Sequence, residues 1–93
     1  PHVSNLTVEV DPRRPAGSRV VSVQVGGQPL DDDRVYTVAT NDFMLRGGDG
    51  YTTLGLRAPD KDVQGKLVAL DLMEHLRALG TVVPRIEGRI ILR

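Results

Sequence analysis

The sequence has no cysteine and no tryptophan, and only one phenylalanine and two tyrosines in 93 residues. Without cysteine there is neither a disulfide framework nor a thiolate-held zinc, and the redox compartment is left open. An excess of charge is missing too: Lys+Arg and Asp+Glu stand at 12 each, a formal net charge of zero. Binding to a nucleic-acid polymer or an anionic membrane surface calls for a positive excess, so neither is an expected partner. No apolar run exceeds four residues, against about 20 for a membrane span. No signal peptide can be made out, and Pro1 in place of a methionine points to an internal segment of a longer polypeptide. What is present is the composition of an ordinary folded chain, 40% hydrophobic and 26% charged. At this length one modest core is the limit, because such a chain buries roughly 60–65% of its unfolded surface.

The first half has the two-residue period of strands. Leu6, Val8 and Val10 alternate with Thr7 and Glu9, and Asp11-Pro12 ends that strand because proline donates nothing to a ladder. After a loop with Pro15 and Gly17, a second strand is expected over Arg19–Val25. Gly26-Gly27 suits a two-residue hairpin turn, returning as a short Gln28-Pro29-Leu30 arm whose proline marks a sheet edge. Asp31-Asp32-Asp33 turns the chain again, and a third strand is expected over Arg34–Thr40. The second half changes period. Asp62 is the expected N-cap, with Val63 and Gln64 in the first turn and a helix from Lys66 to Leu79. Ala69, Leu72, Met73, Leu76 and Leu79 form its apolar stripe, and Gly80 stops it. A last strand, Arg89–Leu92, follows Pro84. Hairpins in place of βαβ units make the fold class α+β, with mostly antiparallel strands and one long helix.

The densest local signal runs from Thr40 to Tyr51, where a short amphipathic stretch leads into glycines around an aspartate: Asn41-Asp42-Phe43, then Gly47-Gly48-Asp49-Gly50. Two readings stay open on spacing alone. One is a tight turn whose aspartate bonds its own backbone. The other is a pocket rim, where glycines admit a ligand close to the backbone, Phe43 offers a stacking face and Asp49 accepts from ligand hydroxyls. Stacking would contribute about 0.5–1.5 kcal/mol beyond area burial and a charge-assisted bond about 1.5–3 kcal/mol. That combination suits a nucleoside, a flat base carrying a vicinal diol.

Other motifs fail on inspection. Gly65-Lys66 lacks the upstream glycine loop and the following Ser/Thr of a phosphate loop, and the glycine segment lacks dinucleotide-fingerprint spacing. Asp31-Asp32-Asp33 lacks the glycine and distal glutamate of a calcium loop and reads as a solvated turn. His2 and His75 stand apart, His75 four residues from Asp71 as a surface pair, and no nucleophile has a histidine at triad spacing. Arg13, Arg14 and Arg19 cluster at one loop, where solvent-facing roles are the first reading and contact with an anion the alternative.

Three segments carry a resemblance: Asp11-Pro12-Arg13-Arg14-Pro15-Ala16-Gly17-Ser18-Arg19-Val20-Val21, Tyr36-Thr37-Val38-Ala39-Thr40-Asn41-Asp42-Phe43, and Gly47-Gly48-Asp49-Gly50-Tyr51. With the closing Glu87-Gly88-Arg89-Ile90, they resemble the C-terminal domain of the 5'-nucleotidase family, which includes UDP-sugar hydrolase and 2',3'-cyclic-nucleotide phosphodiesterase relatives. The resemblance implies that residues 1–93 are the C-terminal portion of a substrate-recognition domain. Phe43 would stack on the base and Asp49 would bind the ribose hydroxyls, with Asn41, Gly47, Gly48 and Gly50 as supporting loop. The second stacking aromatic, the arginines and the asparagine that complete the family's site would precede Pro1. Arg46 departs from the family's small or polar residue, and Asn5 stands where glycine is common.

No catalytic residue and no metal ligand is expected in this segment. Two divalent metals and the hydrolysis would belong to an N-terminal metallophosphoesterase domain, so the segment alone is expected to be inactive within an otherwise active, nucleotide-dephosphorylating enzyme. The expected location, from the resemblance alone, is periplasmic or extracellular. Self-association through an exposed half-domain surface is a further expectation. The alternative is a stand-alone binding or assembly module with the same fold and no catalytic role.

Overall fold

A computed structural model describes residues 2–58, 61–63 and 65–93. The chain divides into two compact units, Pro1–Val35 with Pro84–Arg93, and Tyr36–Val83.

The first unit is a four-stranded mixed sheet in the order β3-β2-β1-β4, built from β1 (Leu6–Val10), β2 (Val20–Val25), β3 (Gln28–Pro29) and β4 (Ile90–Leu92). β1 pairs antiparallel with β2, Leu6 opposite Val25 and Val8 opposite Val23, and parallel with β4, Val8 opposite Ile90. β1, paired with β2 on one side and β4 on the other, is half-buried along its whole length. Gly26 and Gly27 take φ of 56° and 79°, the left-handed pair a two-residue hairpin turn requires. β3 is the edge strand that Pro29 foretold.

Glu9 ties three strands of this sheet together. The Ser22 hydroxyl of β2 donates to Glu9 Oε2 at 2.9 Å, and the Arg93 guanidinium just past β4 donates to Oε1. The Ser22 bond first, and Arg93 second, hold the Glu9 carboxyl below its ordinary value. The β1–β2 register slips between Glu9 and Val10, a bulge that leads into the loop after β1. There Asp11 accepts from the Arg13 backbone at 3.0 Å and from its guanidinium at 2.9 and 3.1 Å, while Arg19 Nε donates to the Arg14 carbonyl at 2.9 Å. The arginine cluster thus folds its own loop. Asp31 closes the next turn by accepting from Asp33 N at 3.0 Å, as an acidic turn should.

The expected third strand, Arg34–Thr40, does not form: none of these residues is in a ladder. The alternation Val35, Thr37, Ala39 is a local signal, whereas a strand exists only where a neighbour accepts its hydrogen bonds. Val35 is 80% and Val38 66% exposed, one valine from each face of the expected strand.

In the second unit, α1 (Asp42–Leu45), a 3-10 turn (Gly48–Gly50) and α2 (Thr52–Arg57) precede α3 (Val68–Leu79). The long helix begins later than its pattern suggested. Leu67 stands at the N-cap and offers no side-chain bond, and Asp62 lies outside the helix; Gln64 lies outside the described residues. Lys66 secures this entry by pairing with Asp71 at 2.9 Å and Glu74 at 2.7 Å, so Asp71 is partnered by Lys66 and not by His75. Gly80 ends the helix at φ 75°. α2 was not expected from the sequence. It packs on α1 through Gly55, where a Cβ would stand 2.4 Å from the Leu45 carbonyl oxygen.

Candidate nucleoside site

The candidate site lies within the second unit and is built by the chain's turn from α1 into the glycines. Asn41 caps α1, its Oδ1 accepting from Met44 N at 2.8 Å, a bond whose loss typically costs about 1 kcal/mol. The Thr40 hydroxyl meets Met44 Sδ at 3.5 Å. Capping fixes where the helix starts and therefore where Phe43, its second residue, projects.

Gly47 then takes φ 93°, ending the helical run. This returns the chain beneath the phenyl ring. A Cβ on Gly48 would lie 2.5, 2.5 and 2.6 Å from three consecutive ring carbons of Phe43. Near-equal distances to three adjacent carbons put the glycine over the face of the ring and not at its edge. Phe43 nevertheless stays 57% exposed. The ring is thus held from one face by backbone and keeps open surface.

Phe43 lines a depression of about 480 Å³ with Asp42, Arg46, Gly47 and Gly48. Two of these carry charge: Arg46 Nη1 stands 3.6 Å from Asp42 Oδ2, one helical turn apart, with side chains 74% and 61% exposed. Asp49 follows at φ 55°, ψ 24°, a left-handed conformation held by a non-glycine residue. Such positions cost free energy and persist where the surroundings impose them. Asp49 is exposed and adjoins the cleft through Gly48 without being one of its lining residues. Gly50 N donates to the Gly47 carbonyl at 3.2 Å, closing the turn.

Five of the six residues singled out from the sequence, Asn41, Phe43, Gly47, Gly48 and Gly50, are brought together as cap, ring and turn, with Asp49 between the last two. Sequence reasoning missed the Asp42–Arg46 pair as part of the same cleft; its i, i+4 spacing on a helical stretch was the available signal. Among the described residues no three His, Cys, Asp or Glu side chains converge as a metal site. No helix of the described residues is long and apolar enough to cross a membrane.

The small α+β fold with its glycine-bounded cleft defines the class, and comparison with known proteins supplies the family. The profile of the 5'-nucleotidase C-terminal domain matches residues 1–56. A 5'-nucleotidase from Diplobatis ommata is 32% identical over 97 residues, covering 96% of this chain and 17% of that protein. A snake venom 5'-nucleotidase from Gloydius brevicauda is 32% identical, covering 96% of this chain and 16% of its own length. Among solved structures, the 5'-nucleotidase precursor from Thermus thermophilus superposes with a TM-score of 0.87 at 40% identity, over 96% of this chain and 18% of that one. The chain belongs to the 5'-nucleotidase C-terminal-domain family. It spans about one sixth of the length of the relatives it matches.

Proposed function

We propose that this chain is the nucleoside-binding part of a metal-dependent 5'-nucleotidase-type phosphohydrolase, with Phe43 stacking on the base and Asp49 accepting from the ribose hydroxyls. The observation that carries the reading is the phenyl ring of Phe43, backed by Gly48 on one face and more than half exposed in a cleft. A ring fixed before a ligand arrives loses little freedom on binding, so stacking adds to affinity at small entropic cost. Asp49, the residue after Gly48, is an exposed carboxylate acceptor next in the chain to that contact. The relatives, each named a 5'-nucleotidase, support nucleotide substrates.

The described residues do not fit the two divalent metals such hydrolysis uses, and the proposal assigns both to an N-terminal metallophosphoesterase domain. This segment then contributes by orientation: holding the nucleoside sets where the 5'-phosphate lies. A periplasmic or extracellular setting is part of the proposal, supported by the venom origin in one relative's name.

The test is a Phe43→Ala variant of the complete polypeptide. KM for AMP is expected to rise about two- to tenfold, the equivalent of about 0.5–1.5 kcal/mol of stacking, with hydrolysis of a phosphate ester lacking a base much less affected. Equal losses on both substrates would contradict base stacking and favour a module with the fold but no role in recognition. The 93-residue chain alone, incubated with AMP and Mn²⁺, is expected to release no phosphate above a metal-only blank.

A further inference from the structure

Resting on that reading, we infer that the Asp42–Arg46 pair reads the edge of the stacked base and makes the site prefer 6-oxopurines, guanine or hypoxanthine, over adenine. Of the five residues lining the Phe43 cleft, only Asp42 and Arg46 bear polar side chains. With the ribose assigned to Asp49, these two are the polar side chains that the described cleft lining offers to the base. Arg46, the C-cap of α1, stands three residues after Phe43 and lines the same cleft. Its guanidinium has one side-chain partner among the described residues, Asp42 at 3.6 Å, so most of its five N–H donors remain unspent.

The chemistry then turns on the substituent at C6. Guanidinium is donor-only, and guanine presents two acceptors, O6 and N7, in the spacing its planar fork matches. Adenine replaces O6 with an amino donor, which faces the guanidinium as a like partner. Asp42 is acceptor-only when ionised. It steadies Arg46 from the previous turn and leaves oxygen lone pairs for the N1–H of a 6-oxopurine, a donor adenine lacks.

The experiment compares kcat/KM for GMP, IMP and AMP in the complete polypeptide and in Arg46→Ala, Arg46→Lys and Phe43→Ala variants. The native protein is expected to favour GMP and IMP over AMP about tenfold, within the range for one bidentate base contact. Arg46→Ala should bring that ratio within about twofold of unity. Arg46→Lys, which keeps the charge and loses the fork, should do nearly the same. A native ratio near unity, a ratio unchanged in Arg46→Ala, or a preference fully kept by Arg46→Lys would each overturn the inference. Phe43→Ala separates the two levels. If it weakens all three nucleotides while Arg46 variants leave the ratio alone, edge reading fails and stacking stands. If it weakens none, the stacking reading falls and edge reading with it.

Discussion

Phe43 is positioned by a glycine. A hydrophobic neighbour would give the ring a partner it could slide against, whereas the Gly48 backbone gives it a flat stop that tolerates no added carbon. Gly48→Ala is therefore expected to push the ring off its seat and raise KM for nucleotides about two- to tenfold, much of what losing the stacking contact would cost, with a small change in thermal stability because the ring is exposed. A KM at the native value with a bulkier residue 48 would show that the seat does not matter. Asp49 makes a complementary test. Asparagine tolerates the left-handed backbone but lacks the charge, so Asp49→Asn should raise KM for ribonucleotides about tenfold, in line with a charge-assisted hydrogen bond. For a nucleotide whose sugar lacks both hydroxyls, KM should hardly move. Spacing alone left a turn and a pocket rim both open for Asn41, Phe43 and Asp49, and the family resemblance is what made the candidate site legible in the sequence. The face-on contact of Gly48 with the ring was not, because glycine at that position is equally explained by turn geometry.

At the scale of elements, legibility followed the number of signals that agreed. β1 has the bounds its alternation predicts because apolar period, terminal proline and a strand on either side all coincide. The Gly26-Gly27 turn was equally readable. Arg34–Thr40 had alternation alone and formed no strand. α3 starts at Val68 because Lys66, reaching forward to Asp71 and Glu74, secures the helix entry there; a cap motif at Asp62 says nothing about that reach. α2 escaped notice since Thr52–Arg57 is short and contains a glycine, and that glycine is what lets it approach α1. Gly55→Ala would set a methyl against the Leu45 carbonyl and is expected to cost about 1–3 kcal/mol, read as a lower urea midpoint. An unchanged midpoint would mean that the helices separate freely.

The sheet has a pH dependence of definite sign. Glu9 is held below its ordinary 4.5 by Ser22 and Arg93, and Asp11 below its ordinary 3.8 by Arg13. A depressed carboxylate stabilises the fold above the unfolded value and loses that contribution as pH falls through the folded one. The urea midpoint should therefore be flat from pH 7 to about 5 and decline below pH 4.5. Glu9→Gln should flatten part of the decline. An equally steep decline in that variant would remove Glu9 from the account.

For the whole molecule, the decisive fact is how little is covered. None of the described residues is fully buried, and the α3 stripe stays open, with Leu72 at 55%, Met73 at 47%, Leu76 at 40% and Leu79 at 54% exposure. The relatives are about six times longer than the stretch they share with this chain, and apolar surface of this extent seeks cover. The isolated chain is expected to self-associate at micromolar concentration in sedimentation velocity, and Leu72→Lys with Leu76→Lys should shift it toward monomer. A native monomer at high concentration would refute that.

The central claim, that one ring and one carboxylate hold a single nucleoside, is tested most directly by a crystal structure of the complete polypeptide with a bound nucleoside. The account predicts the base on the face of Phe43 opposite Gly48 and a ribose hydroxyl within hydrogen-bond distance of Asp49. A nucleoside seated elsewhere, or a base on Phe43 with its sugar turned away from Asp49, would contradict it.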